Sequence, residues 1–397
     1  MKRILIIGAG FLQTFAIKKA KELGYYVLCV DGNPNAVGYQ YADEYEAINI
    51  TDQESCLRYA QEKQIDGVMT AATDYGVLTT SYIAEKLNLR GNALRSSLLI
   101  KNKYQVRKCL FEAKADDTEQ AYEISDIAQA EQIQDSIQYP VMVKPCDGSG
   151  SRGASKVESK EGLREALEYA MNGSLTRRAV IESFIVGNEY GVESLVCNGE
   201  IHVMGVMKKK MTKPPYYAEL GHQIPSEYDK EFEEKIKNSV KKAIVALGVT
   251  FGSVNMDLLI TADRKIHIVD VGARMGGNLI GSHIIQAGTG VDYLGNLIKA
   301  TVGDEVDFAP MREPAAVVTR LLALTPGKVC GLPNFDEIAK KYFVTVEHHL
   351  AMGDTIHEYH TNLDGCGYVV AMGKDVAEAT YRAENALREI DQAIIRG

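Results

Sequence analysis

The sequence contains seven cysteines but no pair spaced Cys-x-x-Cys. The usual zinc and dithiol motifs are therefore missing. Scattered thiols of this kind are expected to be reduced and mostly buried in a cytoplasmic chain. Positive charge is not in excess: 44 lysines and arginines meet 53 aspartates and glutamates, for a formal charge of −9. That excludes the electrostatic footprint of a nucleic-acid binder or of a protein held on an anionic membrane surface. No apolar run approaches the ~20 residues a bilayer span needs. The opening MKRILIIGAGFLQ has the basic and apolar parts of a leader, but no small-residue cleavage site follows. The next segment, TFAIKKAKELG, is an amphipathic helix, so the opening reads as a first strand. Internal repeats, low-complexity tracts and a Ser-His or Cys-His nucleophile pattern are missing too, as is the G-x-x-x-x-G-K-[ST] phosphate loop.

What is present is an ordinary globular composition, 46% hydrophobic and 24% charged over 397 residues. At ~100–200 residues per domain this is two to four domains, large enough to form a core without staples. Residues 1–112 alternate strand (KRILIIGAG, YYVLCVDGNP, DGVMTAATD) with helix, which implies a parallel, doubly wound sheet. The stretch LLIKNKYQVRKCLFEA (98–113) reads as one connecting helix. A second unit, 113–180, carries the strand PVMVKP and the helix KEGLREALEYAM. A third, 181–310, is strand-rich, with CNGE (197–200) as the strongest hairpin signal because Asn-Gly suits a type I′ turn. Residues 311–397 read as a small α+β unit closed by an amphipathic helix. The fold class is thus α/β with α+β.

The stretch VMVKPCDGSGSRGASKV (141–157) poses the chemical question. In VMVK, Met142 and Lys144 share one strand face; Pro145 then ends the ladder, and the small residues DGSGSRG follow before a second strand, ASKVES. Backbone N–H groups at Gly148, Ser149, Gly150 and Ser151 can approach phosphate oxygens closely, with Lys144 as a fixed charge beside them. A mobile surface turn with an incidental lysine is the plain alternative. Gly8 and Gly10 begin a dinucleotide fingerprint, but Gln13 occupies the third glycine position, and a tight strand-to-helix turn accounts for both. A nicotinamide-dependent oxidoreductase would rest on these two glycines alone.

A strand-borne lysine, Lys-Pro and a Gly/Ser-rich lid resemble the ATP-grasp superfamily, and the resemblance covers nearly the whole chain. It implies an ATP-grasp fold with an N-terminal parallel, doubly wound domain ahead of it and a small C-terminal α+β domain. It also implies roles for particular residues. AVIESFIVGNEYGVES (179–194) resembles the hinge that holds adenine and ribose, with Glu182, Phe184 and Ile185 at the adenine end and Glu189 accepting from the ribose hydroxyls. An acidic pair on an exposed strand face is also what solvation alone produces. KNKYQVRKCL (101–110) resembles a helix start that brings Lys103 to the phosphates, with Asn102 where aspartate is usual.

NMDLLITADRKIHIVDVGARMGGN (255–278) reads as a hairpin. A two- or four-residue loop around Asp263 and Arg264 pairs Thr261 with Ile266 and so sets Asp257 opposite Asp270; a three-residue loop would separate them. Like charges face each other across strands at a cost, and a cation between them removes it. Oxygen donors without histidine or thiolate point to Mg²⁺, with Mn²⁺ as a substitute. The pair matches the metal carboxylates that the resemblance implies, but Gly272 stands where the family usually has asparagine. Arg274, followed by Gly276, Gly277 and Asn278, forms a basic turn beside them, suited to a developing acyl phosphate. Lys144 and Arg274 are the expected catalytic cations. Arg152, His222, Gly276, Gly277 and Asn278 are substrate-side candidates. The basic run KKKMTKPP (208–215) reads as a solvated loop, and HEYH (357–360) as non-metal.

The expected activity is that of an ATP-dependent ligase. It would activate a carboxylate as an acyl phosphate, join it to an amine such as an amino acid, and release ADP and phosphate. A purine-pathway or biotin-carboxylase-like enzyme is the alternative within the superfamily, and a nucleotide-binding protein that has lost catalysis, suggested by Gly272 and Asn102, is the alternative of another class. The partners are small-molecule carboxylate and amine substrates, not nucleic acid or membrane, with a homodimer as the default assembly.

Overall fold

A computed structural model describes residues 1–119, 121–148, 153–213 and 216–397. Arg3–Ile7 (β1), Tyr26–Asp31 (β2), Glu44–Ala47 (β3) and Gly67–Thr70 (β4) form a parallel sheet in the order β3-β2-β1-β4. β1 is apolar at successive positions because both of its faces are covered. Ile4 and Ile6 enter one core cluster, and Leu5 and Ile7 another. The Gly8–Gly10 turn is closed by the chain itself. The Ala9 N–H donates to Asp31 at 2.8 Å, and the Gln13 amide donates to the Ala71 carbonyl at 2.5 Å.

Where one connecting helix was expected, there are two, Leu94–Lys101 and Lys103–Ala113. The break is at Asn102, whose extended backbone and side chain accepting from the Gln105 N–H cap the second helix. Tyr122–Ile124 (β5), Val141–Pro145 (β6), Ser155–Val157 (β7) and Ala179–Ser183 (β8) form an antiparallel small-lobe sheet in the order β5-β8-β6-β7. This sheet runs to Ser183, so the 180/181 boundary drawn from sequence falls inside β8.

The central sheet contains Asn188–Cys197 (β9), Glu200–Met211 (β10), Glu219–Ile224 (β11), Gly252–Ile260 (β12), Ile266–Gly272 (β13) and Ala316–Leu321 (β14). Beyond it in sequence lie Gly327–Gly331 (β15), Val344–His348 (β16), Thr355–Ile356 (β17), Gly367–Gly373 (β18) and Ile395–Arg396 (β19). The order of the eight-stranded sheet is β13-β12-β9-β10-β11-β14-β18-β16. Strands β14, β18 and β16 therefore lengthen the central sheet, while β15, β17 and β19 form a small sheet of their own. The β9–β10 hairpin turns at Asn198 and Gly199, both at positive φ (52° and 81°), as a type I′ turn requires. The helix Val376–Ala393 seals the end of the sheet through Ala379, Ala383, Ala386 and Ile390, all fully buried. The helix Tyr293–Val302 shares one core cluster with β1, β2 and β9, which joins the N-terminal sheet to the central one.

Candidate active site

The carboxylate pair sits on the edge hairpin of the central sheet, and its register is reached by an unexpected route. The loop is of the three-residue kind: the Thr261 N–H donates to the Lys265 carbonyl, and Ile260 pairs with Ile266. Continued evenly, that register would separate the two aspartates. Instead the ladder shifts between Asp257 and Leu258. Leu258 pairs with Ile268, Asp257 pairs with Asp270, and Val269 is the extra residue. A β-bulge therefore restores what the loop length would have lost.

Each carboxylate of the pair is met by a cation. Lys103 pairs with Asp270, and Lys209 Nζ lies 2.6 Å from Asp257 Oδ1. Lys103 is held in place by its own backbone, whose N–H donates to the Cys146 carbonyl at 2.7 Å at the end of β6. Burial pushes the Asp270 carboxyl up, but Lys103, then Lys144 and Arg274, more than offset this and hold it below the usual range. Asp257 goes the other way: burial, with Glu219 and Asp270 nearby, raises it despite Lys209. Two opposed acids with unlike proton affinities form an all-oxygen donor set, which suits a hard divalent cation such as Mg²⁺.

The small lobe supplies the facing cations. In β6, Val141 and Val143 are buried, while Met142 and Lys144 share the half-buried face, as the alternation implied. Lys144 Nζ is 3.4 Å from Glu182 Oε2. Phe184 and Ile185 follow β8, and the Phe184 ring carries Lys156 of β7 at 4.4 Å from its centroid. Gly148 lines a small cleft with Lys103, Asp270 and Gly272. Ser149, Gly150, Ser151 and Arg152 lie outside the described residues.

On the third side, Arg274 Nε donates to Asp74 Oδ1 at 2.9 Å, which ties the turn after β13 to the N-terminal unit. The guanidinium lies over Gly272, where a β-carbon would stand 3.0 Å from its central carbon. Gly276 rests on Glu193: its N–H donates to both carboxylate oxygens at 3.2 Å, and a β-carbon would come within 2.9 Å of that carboxylate. Gly277, by contrast, has only ordinary contacts with Leu12 and Ala72. Asn278, at φ 51°, donates to Glu219 and accepts from the Tyr368 hydroxyl at 2.9 Å. His222 is buried, and its ring nitrogens have no hydrogen-bond partner among the described residues, although Nε2 lies 4.0 Å from Glu219 Oε2. Burial pushes its pKa down to about 4, so the ring is neutral. Glu189 lies half-buried near Lys209, Asp257, Glu219 and Lys144, and burial raises its pKa to about 7.

Four residues of this site were not found from sequence. Lys209 lies in the run read as a solvated loop, but 208–211 are the end of β10, and strand alternation turns only the middle lysine inward. Glu219, three residues before His222, accepts from Lys209, Asn278 and Asn362. Asp74 lies in a loop of the N-terminal unit and carried no motif. Glu193 looks like a continuation of the Glu189 face, yet it is fully buried among Gly276, Asn255 and Tyr293.

Residues 137–282 match the model of the ATP-grasp domain, and residues 320–394 that of the L-amino acid ligase C-terminal domain 2. The solved L-amino acid ligase from Bacillus licheniformis superposes over 100% of this chain and 99% of its own, with a TM-score of 0.83 at 22% identity. A phosphoribosylglycinamide synthetase from Anaerococcus prevotii covers 100% of both chains at TM-score 0.81 and 20% identity. Among curated sequences, an uncharacterized protein of Sinorhizobium fredii is 24% identical over 95% of this chain and 80% of its own. A formate-dependent phosphoribosylglycinamide formyltransferase of Rhodococcus jostii is 27% identical over 46% of each, so the match spans about half of that relative. Residues 137–282 of the chain thus carry an ATP-grasp domain. Residues 320–394 carry a domain of the L-amino acid ligase C-terminal type. Among the described residues no helix is long and apolar enough to cross a membrane.

Proposed function

We propose that this cleft binds ATP with Mg²⁺, activates the carboxylate of an amino acid as an acyl phosphate, and passes the acyl group to the amine of a second small molecule. The observation that carries the reading is the convergence of Lys103, Lys144 and Arg274, from three different parts of the chain, on Asp270 and its partner Asp257. A carboxylate does not condense with an amine in water, because its oxygen is a poor leaving group; transfer of the γ-phosphoryl group makes phosphate the leaving group.

Asp257 and Asp270 would hold the Mg²⁺, which when bound neutralises phosphate charge as a Lewis acid. Lys144 and Lys103 balance the negative charge of the phosphates from the small-lobe side, and Phe184, Ile185, Glu182 and Glu189 line the nucleoside end. Arg274, aimed by Asp74, stabilises the charge that develops on the acyl phosphate oxygens. The glycine- and serine-rich sequence that follows Lys144 suits contact with the phosphates through backbone N–H groups. Gly276, Gly277 and Asn278 border the acyl substrate, while Glu219 and neutral His222 face the amine end and favour an amino-acid substrate. The units 1–112, 113–183 and 184–310 serve as N-terminal domain, small lobe and large lobe, and 311–397 extends the large-lobe sheet.

The test is ADP and phosphate release over a panel of amino acids offered as acid and as amine, with product masses recorded. Amide products with ADP support the reading. AMP and pyrophosphate would overturn the acyl-phosphate route. ATP binding with no turnover across the panel would favour a nucleotide-binding protein without catalysis.

A further inference from the structure

Lys209 is buried between acids that belong to different strands. It pairs with Asp257 and with Glu219, and its side chain is 2% exposed. It stands on β10 and Asp257 stands on β12, with β9 between them. The lysine therefore crosses β9, and the crossing point is Gly191, which pairs with Asp257 on one side and Met207 on the other. A β-carbon on Gly191 would touch Lys209 Cε at 3.4 Å, an ordinary contact, whereas a longer side chain would fill the path of the lysine. At the other end, Glu219 also accepts from Asn278 and, at 3.2 Å, from Asn362. One ammonium thus serves two carboxylates on different strands, Asp257 of β12 and Glu219 of β11.

We propose that Lys209 is a positioning residue, a shared counter-ion that couples cation binding at Asp257 to the charge state of Glu219. The proposal rests on the ligase reading for the role of Asp257. A cation arriving at Asp257 competes with Lys209 and turns its charge toward Glu219. Neutralising Glu219, conversely, leaves Lys209 wholly on Asp257 and opposes the cation. Leaving the pair altogether is not open to a buried ammonium, because an unpaired charge in the interior is costly. A substrate group that engages Glu219 therefore reports its presence to the metal carboxylate about one strand away, through a single side chain.

The test is Mn²⁺ binding to the full chain with a non-hydrolysable ATP analogue, read by electron paramagnetic resonance, with thermal unfolding of each variant alongside. Lys209→Met is expected to tighten Mn²⁺ about tenfold or more, because the competing charge beside Asp257 is gone. A merely structural lysine would not tighten it. Lys209→Arg keeps the charge and returns binding toward wild type. Gly191→Leu shifts binding in the same direction as Lys209→Met while keeping the lysine, so the test survives if Lys209→Met does not fold. Gly191→Ala leaves binding unchanged. Glu219→Gln weakens Mn²⁺ severalfold with Lys209 present and has a much smaller effect once Lys209 is Met, the non-additivity of a coupled pair. An equal effect of Glu219→Gln in both backgrounds, or no tightening in Lys209→Met, overturns the coupling alone. A wild-type chain that binds the analogue but no Mn²⁺ overturns the metal assignment, and the coupling with it.

Discussion

Arg274 is useful to a reacting acyl phosphate only if its guanidinium is aimed, and Asp74 does the aiming. The perturbation is Asp74→Asn, which keeps the size of the side chain and removes its charge. Arg274 Nε donates to Asp74 at 2.9 Å, with the two side chains 16% and 32% exposed. A hydrogen bond between charged groups contributes about 1.5–3 kcal/mol net. Partial exposure of Asp74 brings this toward about 1–2 kcal/mol. At about 1.4 kcal/mol per decade, kcat should fall roughly 5- to 30-fold. The fall belongs in kcat because the interaction serves the developing charge, so KM for ATP should stay within about twofold. Steady-state ADP production under saturating substrates is the assay, with a thermal melt to show the fold intact. A folded Asp74→Asn chain with wild-type kcat would refute the argument that Asp74 orients Arg274. Gly272→Ala gives a second handle on the same group: the new methyl would stand 3.0 Å from the guanidinium carbon, so the head must shift by tenths of an ångström, and a smaller loss of kcat is expected.

Lys144→Met should weaken binding of an ATP analogue by about tenfold or more, measured by calorimetry, since a fixed charge facing the phosphates is lost. Asp270→Asn should raise the Mg²⁺ concentration needed for half-maximal turnover at least about tenfold, and a metal titration with unchanged midpoint would count against the carboxylate pair as the metal site. Stability should carry a pH signature from Glu193, whose carboxyl is raised by burial from 4.5 to about 7 in the folded chain. The contribution is complete below about pH 4.5 and is lost as pH rises to about 7, up to roughly 3 kcal/mol at 1.36 kcal/mol per unit. Glu193→Gln should flatten that part of the melting-temperature profile, and parallel profiles for the two chains would refute the assignment. Gly199→Ala, at φ 81° in the β9–β10 turn, should cost about 1 kcal/mol of stability without changing turnover, as read from denaturation and kinetics together.

Strand alternation was enough to put Lys144 on the cleft face, because the period of two fixes side-chain direction once the strand is recognised. The facing of Asp257 and Asp270 was expected from a loop length that the hairpin does not have. The loop is one residue off the assumed length, and the Val269 bulge makes the correction; no residue type marks a bulge of this kind in advance. Asn102 showed its capping chemistry yet was read through, because the flanking helices keep an apolar rhythm across it. Lys209 and Glu193 stayed hidden for a common cause. A charged side chain is read as solvated unless its partners are known, and those partners lie on other strands or beyond the hairpin, set by tertiary contacts. The extension of the central sheet by β14, β18 and β16 is likewise a matter of which edges meet, and local pattern carries no information on that.

That extension limits how the architecture can be rearranged. The last quarter of the chain is woven into the same ladder that bears the aspartates, with Gln223 and Ile224 of β11 paired to Val318 and Val317. It cannot be swapped as a cassette: a foreign C-terminal piece would have to reproduce this backbone stitching as well as its own pocket. New substrate preferences are thus more readily obtained by changing side chains within these strands than by grafting a replacement module.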